Sequence, residues 1–165
     1  MLLYHGSNLI VNEPRLLAGQ RPLDFGAGFY TTTNMEQARD FAQKVVRRSF
    51  KQGLPAGDPV VSMYEFDEAV AIKSLKVLRF DATSPEWLEF VVQNRMGKYT
   101  GEQYDLVVGA VANDDVVPTI VTYMDGMLTF EACLAQLRIR KLYDQYVFKT
   151  AKALASLKYS GSLKL

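Results

Sequence analysis

The sequence is poor in the residues that most often carry chemistry or cross-links. Its 165 residues include one cysteine, Cys133, and one histidine, His5. A single cysteine forms no internal disulfide, which fits a reducing compartment, and these two residues are too few ligands for a structural zinc site. Cys133 lies in FEACLAQL, a pattern typical of an apolar helix face. We therefore interpret it as a buried small hydrophobic residue rather than a nucleophile.

Long apolar runs and an excess of either charge are also missing. No stretch approaches the length of a membrane span, and MLLYHGSN lacks the basic and apolar regions of a signal peptide. Nineteen Lys and Arg residues balance eighteen Asp and Glu residues, which argues against a dedicated nucleic-acid coat protein or a polybasic membrane binder. We expect a cytoplasmic protein with no membrane partner. The length and the 48% hydrophobic content predict one domain, residues 1–165.

What is present is a mixture of strand and helix patterns. The predicted strands are 2–5, 28–32, 60–66, 77–80, 104–111 and 143–148. The predicted helices are 33–50, one that begins at Ser84 and Pro85, 129–138 and 150–158. Thr33 is the predicted N-cap of the first helix, with Glu36 completing a capping box, and Thr129 is the predicted cap of a later one. Because the elements are mixed rather than strictly alternating, we predict an α+β fold.

Two surfaces are predicted from the placement of charge. The helix 33–50 has an apolar face at Ala38, Phe41, Ala42 and Val45, and an outer face with Arg39, Lys44, Arg47 and Arg48. From residue 149 to the end there are four lysines and no acid, which we interpret as a solvated helix face.

Two glycine-containing stretches can carry function. In His5-Gly6-Ser7, an imidazole, a closely approachable backbone and a hydroxyl group stand together at a strand end. The second stretch, Gly26-Ala27-Gly28-Phe29-Tyr30, is not a dinucleotide fingerprint, because no third glycine follows at the required spacing, and the chain has no P-loop. Taken separately, His5 is also explained as a polar strand-end residue, and Tyr30 as a core residue.

Taken together, the two stretches resemble the ADP-ribosyltransferase superfamily, in the branch of the poly(ADP-ribose) polymerases and diphtheria toxin. That branch has a His-Tyr-Glu triad on three strands; His5-Gly6-Ser7 matches the first motif, and Gly26 to Tyr30 the second. With YDLVVGAVANDD and QYVFKT, most of the chain is similar to a bacterial family of uncharacterised domains related to these enzymes. The resemblance implies a split, twisted antiparallel sheet flanked by helices.

The resemblance also implies a binding site for NAD as co-substrate, without a metal. His5 would bond the 2′-hydroxyl of the adenosine ribose, Gly6 would hold the nicotinamide carboxamide with Ser7 alongside, and Tyr30 would stack on the nicotinamide ring. Gly28 and Thr31 flank Tyr30 and are expected in the same site. Phe41 falls where the polymerases have a second stacking aromatic, although it is equally explained as a core residue. Ala38 stands where they have a serine that assists the carboxamide, so that contact is missing.

The third member of the triad differs. In the matching late strand, Asp144 to Phe148, Gln145 stands in place of the glutamate. Glutamine accepts a hydrogen bond but supplies no charge and is no base, and losing a charged stabiliser costs on the order of 3 kcal/mol, about a hundredfold in rate. Single transfer is therefore expected rather than chain elongation. Candidate substitute acids are Asp144, expected to face away from Gln145, and Glu131, Asp114 and Asp115; candidate pyrophosphate ligands are Arg15 and Arg21.

The resulting hypothesis is an NAD-dependent mono-ADP-ribosyltransferase, a glycosyltransferase with His5, Tyr30 and Gln145 as its catalytic set. Related bacterial domains act as toxins or effectors, often beside a small neutralising antitoxin protein, so the same role is expected here. The modified target is left open between a protein, a nucleic acid and a small molecule. Two alternatives are a catalytically silent NAD- or ADP-ribose-binding module and, third, an RNA 2′-phosphotransferase-like enzyme. The latter class uses several arginines and a separate RNA-binding lobe, of which this short, neutral chain shows no sign.

Overall fold

The computed structural model describes residues 1–17, 23–110, 116–138 and 143–165. Within these ranges strands and helices are mixed along the chain. In order they are β1 (Leu2–Ser7), β2 (Phe29–Thr31), α1 (Met35–Lys51), β3 (Val60–Phe66), α2 (Glu68–Ala71), β4 (Val77–Arg79), α3 (Pro85–Arg95), β5 (Leu106–Ala110), α4 (Val117–Met124), α5 (Phe130–Arg138), β6 (Asp144–Phe148), α6 (Ala151–Leu154) and β7 (Leu157–Lys164). The predicted α+β class is confirmed.

The strands form two sheets that are joined by a β-bridge. The first has the order β1-β3-β7 and the second the order β2-β6-β5-β4. Tyr4 of β1 and Thr32, next to β2, exchange backbone hydrogen bonds of 2.8 and 3.0 Å, which join the sheets. All named strand pairs are antiparallel except β4–β5. That pair departs from the expected antiparallel sheet because helix α3 forms the crossover that parallel neighbours require.

Strands β5 and β6 lie in the interior of the molecule and are covered on both faces. Val107 and Val147 face one apolar cluster, in which Trp87 and Cys133 are fully buried. Leu106 and Phe148, the chain neighbours of Val107 and Val147, belong to the other cluster. This double coverage explains the nearly continuous apolar run of the predicted central strand. It also confirms the interpretation of Cys133 as a buried small residue.

Helix α1 begins one residue later than predicted. Asn34, not Thr33, is its N-cap, and the side chain of Asn34 accepts a hydrogen bond of 2.9 Å from the Gln37 backbone. The Thr33 hydroxyl instead donates to a carboxylate oxygen of Asp144, 2.5 Å away. The prediction of Thr33 was wrong because this long-range partner cannot be read from the local pattern. The caps predicted at Ser84 and Thr129 are confirmed, each accepting from a backbone amide three residues on.

The end of the chain is a strand rather than the predicted helix over 150–158. Helix α6 lasts for four residues, and β7 then pairs with β3 at the edge of its sheet. Tyr159 packs against Tyr64 of β3, whereas Lys158 points outward. The lysines of this segment therefore decorate a strand, because alternate apolar residues here complete a sheet. Helices α2 and α4 were not anticipated from the sequence. Within the described part of the chain, no helix combines the length and apolar character needed to cross a membrane.

Candidate functional site

A cavity of about 190 Å³ lies where β1, β2 and α1 meet. Six of the residues predicted from the sequence line it: His5, Gly6, Tyr30, Thr31, Phe41 and Gln145. Further lining comes from Tyr4, Leu23, Asp24, Thr32, Gln37, Ala38, Lys44, Arg48, Arg95 and Val117. Ser7 and Gly28 are not among the lining residues. The fold thus brings together residues from both sheets and from helix α1.

His5 is held in place by two contacts. Its ring stacks on Phe29, with 4.3 Å between the ring centroids, and its Nδ1 atom lies 2.7 Å from the carbonyl oxygen of Tyr30. A carbonyl oxygen only accepts hydrogen bonds, so Nδ1 must carry the proton. Burial lowers the pKa of His5 below its usual range, which favours the neutral ring. His5 therefore offers the unprotonated Nε2 atom as an acceptor for a ligand.

The Tyr30 hydroxyl is occupied within the protein. It donates to the carbonyl oxygen of Gly26 at 2.6 Å and accepts from the backbone N–H of Phe25 at 3.1 Å. Burial, with a smaller contribution from Asp24, raises the pKa of Tyr30 far above its usual value, so the hydroxyl stays protonated. These two bonds close the loop before β2. What Tyr30 presents to the cavity is its aromatic ring.

The glycines of both motifs have close neighbours. A Cβ atom on Gly6 would lie 2.0 Å from the carbonyl oxygen of Ala38, so glycine at this position allows α1 to pack directly on β1. A Cβ atom on Gly28 would lie 2.6 Å from a methyl carbon of Val147. Gly6 and Ser7 also extend β1 beyond its predicted end, and Ser7 pairs with Val60. Close packing thus explains why glycine stands at position 6 and at position 28.

Gln145 is 3% exposed and reaches the cavity from β6. Its Nε2 atom donates to the carbonyl oxygen of Ala110 at 3.3 Å, and the Trp87 indole donates to the same oxygen at 3.1 Å. The amide nitrogen is therefore anchored, and Oε1 is the atom of Gln145 that can accept from a ligand. Neighbouring Asp144 does not line the cavity, as the strand alternation predicts. Its carboxylate accepts hydrogen bonds from Thr33, at the start of α1.

The other candidate acids and arginines contribute nothing to the lining that the structure describes. Glu131 is exposed on α5, and Arg15 is exposed and paired with Glu13 at 3.2 Å. Arg21, Asp114 and Asp115 lie outside the described residues. Burial raises the pKa of the Cys133 thiol, which does not favour a thiolate nucleophile.

An ion pair at the cavity was missed by the sequence analysis. Arg95, at the end of α3, places Nη2 and Nε 2.6 and 2.7 Å from a carboxylate oxygen of Asp24, which is 4% exposed. The two residues are distant in sequence and have no local signature. Asp24 is the one acid among the described lining residues, against three cations: Lys44, Arg48 and Arg95. The lining therefore carries an excess of positive charge.

Two of those cations were assigned to the solvent-facing side of α1. Lys44 and Arg48 are exposed but also border the cavity, together with Phe41, which is 44% exposed. Their spacing from Phe41, three and seven residues, is the signal that would have placed them on its face. Among the described residues, no cluster of three or more His, Cys, Asp and Glu side chains is arranged to hold a metal ion.

The fold and site are those of an α+β protein with a small cavity between two joined sheets and a helix. A family model matches residues 1–159, and that family is described as Protein of unknown function (DUF3990). The chain belongs to this family. Searches of curated proteins and of solved structures find no match.

Proposed function

We propose that this protein is an NAD-dependent mono-ADP-ribosyltransferase with the split-sheet fold of that superfamily. The observation that carries the proposal is the convergence of His5, Tyr30 and Gln145 on one cavity, although they come from three separate strands. The resemblance predicts this convergence, whereas three short motifs that matched by chance would not be expected to meet. A cavity shared by all three is the arrangement that a common ligand needs.

The chemistry of the lining suits NAD. The rings of Tyr30 and Phe41 provide apolar faces for a planar ring, while His5 Nε2 and Gln145 Oε1 provide acceptors for hydroxyl groups. The cationic side chains at the mouth suit phosphate groups. The volume of about 190 Å³ is below the roughly 300–1,000 Å³ of clefts that enclose drug-sized ligands. We therefore infer that the cavity takes the nicotinamide-ribose part and that the rest of the dinucleotide lies along its mouth.

Bound NAD supplies the reactive anomeric carbon and nicotinamide as a leaving group. The protein's own contribution is positioning: Tyr30 and Phe41 orient a ring, and His5 accepts a hydrogen bond from a ribose hydroxyl. Gln145 orients a second polar group through Oε1 but places no negative charge beside the ribose. A site of this kind supports slow, single transfer.

A catalytically silent NAD- or ADP-ribose-binding module is the second candidate, and one observation favours it. The described lining contains one carboxylate, that of Asp24, and this group is bound to Arg95. The carboxylate of Asp144, next to Gln145, is held by Thr32 and Thr33. The described lining thus offers no substitute for the missing glutamate.

Nicotinamide release and thermal stabilisation by NAD separate the two candidates. For a transferase, we expect NAD to raise the melting temperature and nicotinamide to be released, with His5→Ala and Tyr30→Ala at least tenfold slower. Ser160→Ala, exposed on β7 and outside the lining, is the matched control and should behave as wild type. At a concentration of 100 times Kd, NAD adds about 2.7 kcal/mol, or roughly 5–10 °C for a chain of this size. Stabilisation without release identifies the silent module, and no stabilisation contradicts both candidates.

The biological role is proposed on the resemblance and calls for its own measurement. A toxin that modifies a cytoplasmic target should slow the growth of a bacterial host when it is expressed, and His5→Ala should restore growth. A small antitoxin protein, if it is encoded beside the toxin, should restore growth with the wild-type chain. Equal growth of hosts expressing wild type and His5→Ala would contradict the toxin role.

A further inference from the structure

The ion pair of Arg95 and Asp24 contains the least exposed charges of the described cavity lining. The Arg95 side chain is 21% exposed and that of Asp24 is buried, whereas Lys44 and Arg48 are exposed. A charge that is shielded from water acts more strongly on a neighbouring charge than one at the surface. Of the three cations in the described lining, Arg95 is therefore the one that should act most strongly on a ligand inside the cavity.

The loop before β2 is held by other contacts besides this ion pair. The Tyr30 hydroxyl bonds to the Gly26 carbonyl and to the Phe25 N–H, and Nζ of Lys149 donates to the Phe25 carbonyl. A buried ion pair also adds little net stability, because the cost of desolvating two charges offsets much of their attraction. Stability alone thus gives a poor account of an ion pair at this place, whereas a role in ligand binding explains its position at the cavity.

Asp24 occupies one edge of the Arg95 guanidinium group. The Nε and Nη2 atoms lie 2.7 and 2.6 Å from the same carboxylate oxygen. A guanidinium group has five N–H bonds, so Nη1 and the second N–H of Nη2 form another edge with two parallel donors. Among the described residues, no hydrogen-bond acceptor occupies that second edge. Asp24 therefore fixes the orientation of Arg95 and leaves a pair of donors that a ligand can use.

This pair of donors matches one kind of group in NAD. A phosphate group accepts two parallel N–H bonds and carries the opposite charge, whereas the ribose hydroxyls and the nicotinamide carboxamide are uncharged and themselves carry donors. Arg95 also lies close enough to Tyr30 to affect its hydroxyl: burial raises the pKa of Tyr30, and the charge of Arg95 partly opposes that rise. Since the Tyr30 ring is the proposed support of nicotinamide, the nearest phosphate group is the one on the nicotinamide ribose.

We propose that Arg95, oriented by Asp24, binds the phosphate group on the nicotinamide ribose, so that the cavity recognises the nicotinamide mononucleotide half of NAD. This assignment rests on the proposed binding of NAD but not on the transfer of ADP-ribose. The carboxylate of Asp24 and the phosphate group lie on different edges of the guanidinium group. Each is therefore closer to the positive charge than to the other anion, and attraction outweighs repulsion.

Titration calorimetry with NAD, nicotinamide mononucleotide and nicotinamide riboside, which has no phosphate group, tests the assignment. Wild type should bind the mononucleotide about tenfold or more tightly than the riboside, and Arg95→Gln should reduce this ratio to about threefold or less. Because Arg95→Gln leaves a buried carboxylate without its cation, the double variant Asp24→Asn/Arg95→Gln, which removes both charges, is measured beside it. Arg47→Gln, the same change at an exposed arginine outside the lining, should keep the wild-type ratio.

Equal affinity of wild type for the mononucleotide and the riboside would overturn the assignment, as would an unchanged ratio in the double variant or an equal loss in Arg47→Gln. If the double variant lowered only the preference for NAD over the mononucleotide, Arg95 would contact the other phosphate group, and the assignment would be wrong. If none of the three compounds bound, the proposed function would fail together with the assignment. The expected ratios without nicotinamide release from NAD would confirm the assignment and contradict the transferase alone.

Discussion

The Nδ1 atom of His5 on β1 lies 2.7 Å from the carbonyl oxygen of Tyr30 on β2. This hydrogen bond links the two glycine-containing stretches and fixes the proton on Nδ1. Because the chain has one histidine, nitrogen–proton correlation spectra contain one imidazole to assign. We expect the Nδ1–H tautomer at pH 7, with Nε2 unprotonated. A signal from the Nε2–H tautomer would show that His5 cannot serve as the acceptor proposed for a ribose hydroxyl.

The lowered pKa of His5 predicts a specific pH dependence of stability. The unfolded chain takes up its proton near pH 6.5, before the folded protein does, so acidification favours unfolding. The free energy of unfolding should fall as pH drops below about 6.5, by at most about 1.4 kcal/mol per pH unit, until the folded pKa is passed. His5→Asn keeps a side-chain donor and removes the titration. Urea unfolding between pH 7 and 5 should therefore give a flatter profile for this variant, and parallel profiles would contradict the assignment.

Gly6 should tolerate no side chain. An added Cβ atom would meet backbone atoms of α1, 2.0 Å from the Ala38 oxygen and 2.8 Å from the Ala42 nitrogen, and backbone yields poorly. We expect Gly6→Ala to lower the free energy of unfolding by about 3 kcal/mol or more, measured by urea denaturation. Ser7→Ala, one residue on, should stay within about 0.5 kcal/mol of wild type. A Gly6→Ala protein as stable as Ser7→Ala would mean that α1 is not packed on β1 as described.

The extent to which sequence predicts this fold depends on how local each signal is. Strands β3 and β5 follow from alternation and from a continuous apolar run, both of which report burial directly. Strand β7 was misread as a helix because its pairing partner, β3, lies about 90 residues earlier in the chain. The local pattern does not show that Leu157 and Tyr159 are placed by this pairing. The capping of α1 was misplaced for the same reason, since Asp144 binds Thr33 from the other end of the sequence.

The residues of the candidate site were likewise predicted where the signal is local and missed where it is not. His5, Tyr30 and Gln145 were selected from motifs, and the structure brings all three to one cavity. The pair of Asp24 and Arg95 carries no such motif, because it is created by the packing of α3 against the loop before β2. Residues in recognisable motifs can therefore be selected from the sequence. Charged residues that are brought together by packing can be found only in the folded structure.

Tyr30 has two separable roles, one for its hydroxyl and one for its ring. Tyr30→Phe removes the partner of the Phe25 N–H and the Gly26 carbonyl, which should cost about 1–3 kcal/mol in the free energy of unfolding. It keeps the ring, so we expect the stabilisation by NAD, in kcal/mol, to match that of wild type. Tyr30→Ala should lose both the hydrogen bonds of the hydroxyl and the stabilisation by NAD. Thermal unfolding with and without NAD measures the two effects together. If Tyr30→Phe abolished the NAD effect while remaining folded, the hydroxyl would have to contact the ligand directly.

Gln145 offers the most direct test of how the missing charge limits the proposed reaction. Gln145→Glu conserves shape and restores a carboxylate beside the site, which should raise the rate of nicotinamide release by up to about a hundredfold. At 3% exposure of the native side chain, desolvation should raise the pKa of the new carboxyl group, so the gain should grow with pH. Gln145→Met keeps the volume without a hydrogen-bonding group and should release nicotinamide more slowly than wild type. The ordering Glu, Gln, Met in initial rates at pH 8 is expected if Gln145 orients the ribose. Equal rates for Gln and Met would show that Oε1 has no part in positioning the substrate.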